Sequence, residues 1–234
     1  MSRGHQTAVS LFCSGGIADL ALRAAGYEIL SANELIAERA DVYKSNFSDA
    51  EIVVGDIRQS KANIIELTRM RLRGRELDLL FATPPCQGMS KNGRGKLLSA
   101  VRHGLRPEFD PRNQLIIDTI DVVLALRPRT LLMENVPEMR TILVEGRDGE
   151  PIGLMEFIKN EMPPEYVGAD EIFEFADYGV PQRRQRLITI YTRDPEFRGL
   201  LARDKGRAFP APTHSRRPGL LTRPWVTVDE SIGH

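Results

Sequence analysis

Leu77-Asp78-Leu79-Leu80-Phe81-Ala82-Thr83-Pro84-Pro85-Cys86-Gln87-Gly88-Met89-Ser90 joins a short apolar run to a proline turn and a thiol. Leu77 to Ala82 reads as a buried strand. The two prolines fix the backbone after it and remove two N–H donors. The chain must therefore leave the strand in a stiff turn. That turn presents Cys86 at the carboxyl edge of a sheet, where open α/β folds hold their ligands.

Working outward, strands and helices alternate. Ala8 to Phe12, Glu28 to Ala32, Glu51 to Val54 and Thr130 to Glu134 read as further strands. Helical spacing is predicted from about Ile17 to Ala25, Ile36 to Phe47, Ser60 to Arg73 and Arg112 to Leu126, the last broken by Pro128. Such alternation predicts an α/β fold with a mostly parallel sheet and helices on both faces. Right-handed crossovers then carry every strand's carboxyl end to one edge. Phe12, Glu34, Asp56, Pro84 to Cys86 and Glu134 all fall at such ends, which predicts one composite site.

Composition is that of an ordinary globular chain, and 234 residues suffice for one sizeable core. No stretch is long and apolar enough to span a bilayer, and no signal-peptide pattern opens the chain, so no membrane role is expected. Two cysteines, Cys13 and Cys86, make no disulfide framework and are expected to stay reduced in a cytoplasm. Nothing in the pattern calls for a metal. The net charge is zero, yet Lys91, Arg94, Lys96, Arg102, Arg106 and Arg112 crowd the segment after Cys86. A basic loop beside a reactive thiol suits a polyanion; on charge alone, a solvated surface loop fits equally well.

Two further stretches carry chemistry. Phe12-Cys13-Ser14-Gly15-Gly16-Ile17-Ala18-Asp19 lies between a strand and a helix, where glycine lets backbone approach a ligand and the helix N-terminus favours a negative group. Glu34 follows the second strand at the spacing of an acid that hydrogen-bonds ribose hydroxyls. Asp56 follows the third and could accept from an adenine amino group, with Ile57 against the ring. Later, Gln182, Arg184 and Arg186 alternate, so they share one face if extended, and Arg183 faces away. From Asp194 onward the chain is rich in Arg, Pro and Gly and reads as an extended tail. The expected organisation is a catalytic and cofactor-binding domain over residues 1–191 and a tail over 192–234.

Thr83-Pro84-Pro85-Cys86-Gln87, Glu134-Asn135-Val136-Pro137 and Gln182-Arg183-Arg184-Gln185-Arg186, with Asn33-Glu34 and Gly55-Asp56-Ile57, resemble the cytosine-C5 DNA methyltransferases over residues 8–191. The resemblance implies a Rossmann-like fold that uses S-adenosylmethionine, held by Phe12, Ser14, Gly16, Ile17, Glu34, Leu35, Asp56, Ile57, Pro84 and Leu115. It implies Cys86 as the nucleophile that attacks cytosine carbon 6, making carbon 5 an enamine carbon. Glu134 would donate to, or share a proton with, ring nitrogen N3. Arg186 would hold the cytosine carbonyl, and Arg184 a phosphate or the cysteine loop. Asn135 would orient the loop.

A base inside a duplex cannot reach such a site, so double-stranded DNA would be bound with the cytosine flipped out. Gln87, Ser90, Lys91, Arg94 and Gln182 would contact the nucleic acid. Where the family's turn reads Phe-x-Gly-x-Gly-x-Gly, this chain has Ser14, Gly16 and Ala18 at the glycine positions. A Cβ at positive φ is costly, which predicts a strained turn and weaker cofactor binding.

Pro212-Thr213-His214-Ser215 and Trp225-Val226-Thr227-Val228 resemble the next family segment. The target-recognition domain and the last family motif are then expected from a second polypeptide or a longer chain. The setting expected is bacterial or phage-encoded restriction-modification in the cytoplasm. Two alternatives stand beside it. One is a tRNA cytosine-5 methyltransferase, whose Cys-Phe-Thr motif is not found here. The other is a degenerate paralogue that binds DNA without turnover.

Overall fold

Alternation within single strands decides the layering. In the computed structural model, which describes residues 6–85, 110–204 and 209–233, strands β1 (Gln6–Leu11), β2 (Tyr27–Glu34), β3 (Glu51–Val54), β4 (Leu79–Ala82) and β5 (Thr130–Asn135) pair in parallel in the order β3-β2-β1-β4-β5. Along β4, Leu79 and Phe81 enter one core with Leu22, Tyr43 and Phe47. Leu80 and Ala82 enter the other with Ile64, Ile116 and Ile120. A strand buried on both faces reads as a continuous apolar run, and that is why β4 was visible in the sequence.

Helices α1 (Ile17–Ala24) and α2 (Ala37–Asn46) cover the first face. Helices α3 (Ile57–Leu72) and α4 (Leu115–Leu126) cover the second. The fold is therefore the expected α/β Rossmann-like one. Helix α3 starts earlier than the apolar spacing from Ser60 predicts, because Asp56 caps it: its Oδ1 accepts from the Arg58 amide at 3.0 Å.

After β5 a short ribbon, β6 (Leu143–Glu145) and β7 (Pro151–Gly153), leads into helix α5 (Leu154–Glu161). Strands β8 (Val167–Glu174) and β9 (Gln185–Thr192) then complete a seven-stranded sheet. β9 runs antiparallel between β5 and β8. This reversal brings the beginning of β9, rather than its end, to the edge where β5 finishes. No described helix is long and apolar enough to cross a membrane.

The expectation of an extended tail is corrected. Pro195–Arg203 is a helix, α6, capped by Asp194, whose Oδ1 accepts from the Glu196 and Phe197 amides at 3.1 and 3.0 Å. Pro195 sits in the first turn, where a missing N–H costs nothing. Further on, β10 (His214–Ser215) pairs with β11 (Arg223–Pro224), and a capping box at Thr227 opens α7 (Val228–Ile232). The segment is fastened to the 3-10 turn Phe175–Tyr178. Thr213 N donates to the Asp177 carbonyl at 2.9 Å, and the Trp225 indole donates to Asp177 Oδ1 at 2.8 Å.

Candidate active site

The carboxyl edge of the sheet carries a cavity of about 430 Å³, within the roughly 300–1,000 Å³ range of small-molecule sites. Its apolar walls include Phe12, Leu35, Ile57, Pro85 and Leu115, and its acids are Glu34 and Asp56. Ser14 also lines it. Asn33 squares the two acid-bearing strand ends by donating to the Val53 and Gly55 carbonyls at 2.9 and 3.0 Å.

The turn after β1 is tightly wound. Phe12, Ser14 and Gly16 all have positive φ, at 59°, 52° and 88°. The strain expected at the substituted glycine positions therefore falls on Ser14, whereas Ala18 lies within α1 and is not at a positive φ. Glu34, only 5% exposed, spans the turn: Oε2 accepts from Ser14 N at 2.9 Å and Oε1 from Ile36 N at 3.0 Å.

Three of the expected cofactor residues stand outside this cavity. Gly16 points inward, where a Cβ would lie 2.3 Å from the Phe47 ring. Ile17 turns outward and is 84% exposed. Pro84 lines a small adjoining cavity with Asn113, Ile116 and Asn135.

Arg39, Arg58 and Arg112 also line the main cavity, and sequence reasoning did not mark the first two. A basic residue two positions after a capping Asp was the available signal for Arg58. Its guanidinium holds the Asp56 carboxyl below the usual carboxylate range.

The second half of the site adjoins the first. Asn135, at the end of β5, donates from Nδ2 to the Pro84 carbonyl at 2.8 Å, and its Oδ1 accepts from Val136 N at 2.8 Å. The proline turn is thereby tied to the neighbouring strand. Beside it, Arg186 Nε meets Glu134 Oε1 at 2.6 Å. The pairing that allows this is set by register: Asn135 lies opposite Leu187 and Glu134 opposite Ile188, so Arg186 is one residue past the end of β5.

Arg184 and Gln182 are exposed. The Arg184 amide donates to Glu174 Oε1 at 2.7 Å, while the Arg183 guanidinium stacks over the Trp225 ring. Cys86, Gln87, Ser90, Lys91 and Arg94 lie outside the described residues. Cys13 is buried beneath the first turn, and burial, aided by Asp19 and Glu34, pushes its thiol up. Among the described residues no group of three or more His, Cys, Asp or Glu is arranged to hold a metal.

A nucleotide-sized cavity and an acid–arginine pair on one sheet edge agree with the family comparison. Residues 6–216 match the C-5 cytosine-specific DNA methylase model. The chain belongs to that family. Among its relatives, type II methyltransferase M1.HgaI of Avibacterium volantium is 36% identical over 184 residues, covering 77% of this chain and 48% of that protein. Type II methyltransferase M.AquIA of a Picosynechococcus strain is 28% identical over 241 residues, covering 96% and 86%.

Of solved structures, one described as a DNA modification methyltransferase encoded within an E. coli prophage has a TM-score of 0.64 at 22% identity. It matches 97% of this chain and 54% of its own, and at that identity it speaks to the fold alone. This C-5 cytosine methylase chain thus spans about half the length of M1.HgaI and of that structure, but most of M.AquIA.

Proposed function

We propose that this chain is the catalytic module of a DNA (cytosine-5)-methyltransferase that uses S-adenosylmethionine on a cytosine flipped out of duplex DNA. One observation carries the reading. Asn135 binds the Pro84 carbonyl, so the turn leading toward Cys86 and the Glu134–Arg186 pair share an edge with the 430 Å³ cavity.

The cavity's chemistry fits the cofactor. Apolar walls at Phe12, Leu35, Ile57 and Leu115 suit a purine, Glu34 suits ribose hydroxyls, and Asp56 suits an exocyclic amine. Bound there, S-adenosylmethionine would supply an electrophilic methyl group. Cys86 Sγ would bond to carbon 6 of the cytosine, Glu134 would supply the proton at N3, and Arg186 would hold both Glu134 and the base carbonyl. Carbon 5 then carries the electron pair that takes the methyl. Loss of the carbon 5 proton to a base expels Cys86, the N3 proton returns to Glu134, and the aromatic ring is restored.

Arg184 and Gln182, exposed beside this pair, are assigned to phosphate and DNA contacts, together with Gln87, Ser90, Lys91 and Arg94. We assign target recognition to residues outside this sequence, on a second polypeptide or a longer chain. Restriction-modification in a bacterial or phage-infected cytoplasm is the setting proposed.

The test is covalent trapping on duplex DNA containing 5-fluorocytosine with S-adenosylmethionine, with and without the recognition polypeptide. An adduct lost in Cys86→Ala is expected, and Glu134→Gln should slow its formation at least about a hundredfold. Absence of adduct in a folded complete assembly would favour a chain that binds without turnover.

A further inference from the structure

Both carboxylate oxygens of Asp56 are engaged by Arg58. Its Oδ1 accepts from the Arg58 amide and from Arg58 Nε, both at 3.0 Å. Its Oδ2 accepts from Nε at 3.0 Å and from Nη2. An ionised carboxylate offers about four acceptor positions, and three N–H groups of one arginine, with Nε–H shared between the oxygens, occupy most of them. The guanidinium is not locked in: its side chain is 54% exposed, and Asp118 on α4 also attracts it. Both Asp56 and Arg58 line the cavity.

We propose that Arg58 is a latch on Asp56, competing with the ligand's exocyclic amine and thereby setting both affinity and base selectivity at this site. The inference rests on the cofactor reading given above. An amine donor can reach Asp56 only when the guanidinium lets go, moving toward water and Asp118. A ligand with an oxo group at the same ring position offers no donor. It gains nothing from the exchange and leaves the latch closed. The helix cap survives loss of the side chain, since the Arg58 contact that caps α3 comes from its backbone amide.

Calorimetric titration of the whole chain with S-adenosylhomocysteine, and with its 6-oxo analogue S-inosylhomocysteine, decides the matter. Arg58→Ala should tighten the adenosyl ligand about tenfold and leave the inosyl ligand unchanged. In an Asp56→Asn background, which preserves a capping side chain, the same substitution should have no effect. Weaker or unchanged adenosyl binding in Arg58→Ala overturns the latch. So does equal tightening of both ligands, which would mean only a roomier cavity. If neither the wild type nor the folded variants bind either ligand, the cofactor reading itself falls, and the latch with it.

Discussion

Gly16→Ala tests the first turn most sharply. The glycine has φ +88°, and an added Cβ would lie 2.3 Å from Phe47 Cε2 and 3.0 Å from both Phe47 Cδ2 and Tyr43 Cδ2. Neither ring can retreat, because both are fully buried and stack on each other with centroids 4.6 Å apart. A left-handed alanine costs about 1–2 kcal/mol, and overpacking a tight core adds about 1–3 kcal/mol. The expected loss is about 2–5 kcal/mol.

For a chain of this size that lowers Tm by roughly 5–20 °C. Urea unfolding followed by circular dichroism reads the same loss as a lower midpoint at constant slope. Ser14→Gly, two residues earlier at φ 52°, is the control of opposite sign. Relief of strain outweighs the added unfolded-state entropy, for a net change between zero and about 1 kcal/mol of stabilisation. If Gly16→Ala cost less than about 1 kcal/mol, or if Ser14→Gly destabilised as much as it does, the account of this turn would be refuted.

Asn135→Ala removes two hydrogen bonds, one of them buried, and strands the Pro84 carbonyl; a loss of about 2–4 kcal/mol is expected by the same urea assay. In trapping experiments it should also slow adduct formation, whereas a substitution that affects stability alone would leave the rate per folded molecule intact. Cys13, with its thiol pushed up by burial, should resist iodoacetamide in the native chain at neutral pH and react once urea unfolds it. Rapid native labelling at Cys13, read by peptide mass mapping, would contradict its placement. Asp56 is held below the usual carboxylate range by Arg58. Its folded pKa is depressed, so its stabilising contribution is present above about pH 4 and lost as the pH falls below that. Asp56→Asn should therefore flatten the acid limb of the stability profile.

The strand ends were legible in sequence because parallel, doubly buried strands write themselves as apolar runs followed by abrupt polar residues. Glu34 stood out for that reason, whereas Asp56 and Glu134 follow short apolar runs on strands that are only partly buried. The β8–β9 hairpin was harder to see, since its outer strand is half exposed with little apolar contrast. Helix α6 hid behind Pro195, a residue that breaks helices anywhere except in the first turn, where Asp194 puts it. Leu115, marked by the resemblance alone, lines the cavity. The engagement of Asp56 by Arg58 was not legible, because two polar residues near a helix start reveal neither rotamer nor partner. Gly16 was expected against the ligand, yet its missing Cβ makes room for Phe47.

The reversed direction of β9 also has a consequence for the order of folding. Glu134 and Arg186 meet only after β9 has added to β5, a contact across more than fifty residues of chain that includes α5 and β8. The residues that line the cavity, from Phe12 to Leu115, all precede this pair in the chain and are synthesised before it. Glu134 exists for a time without Arg186. Their ion pair is then the last part of this edge to assemble, and the first that should be lost when the hairpin edge frays.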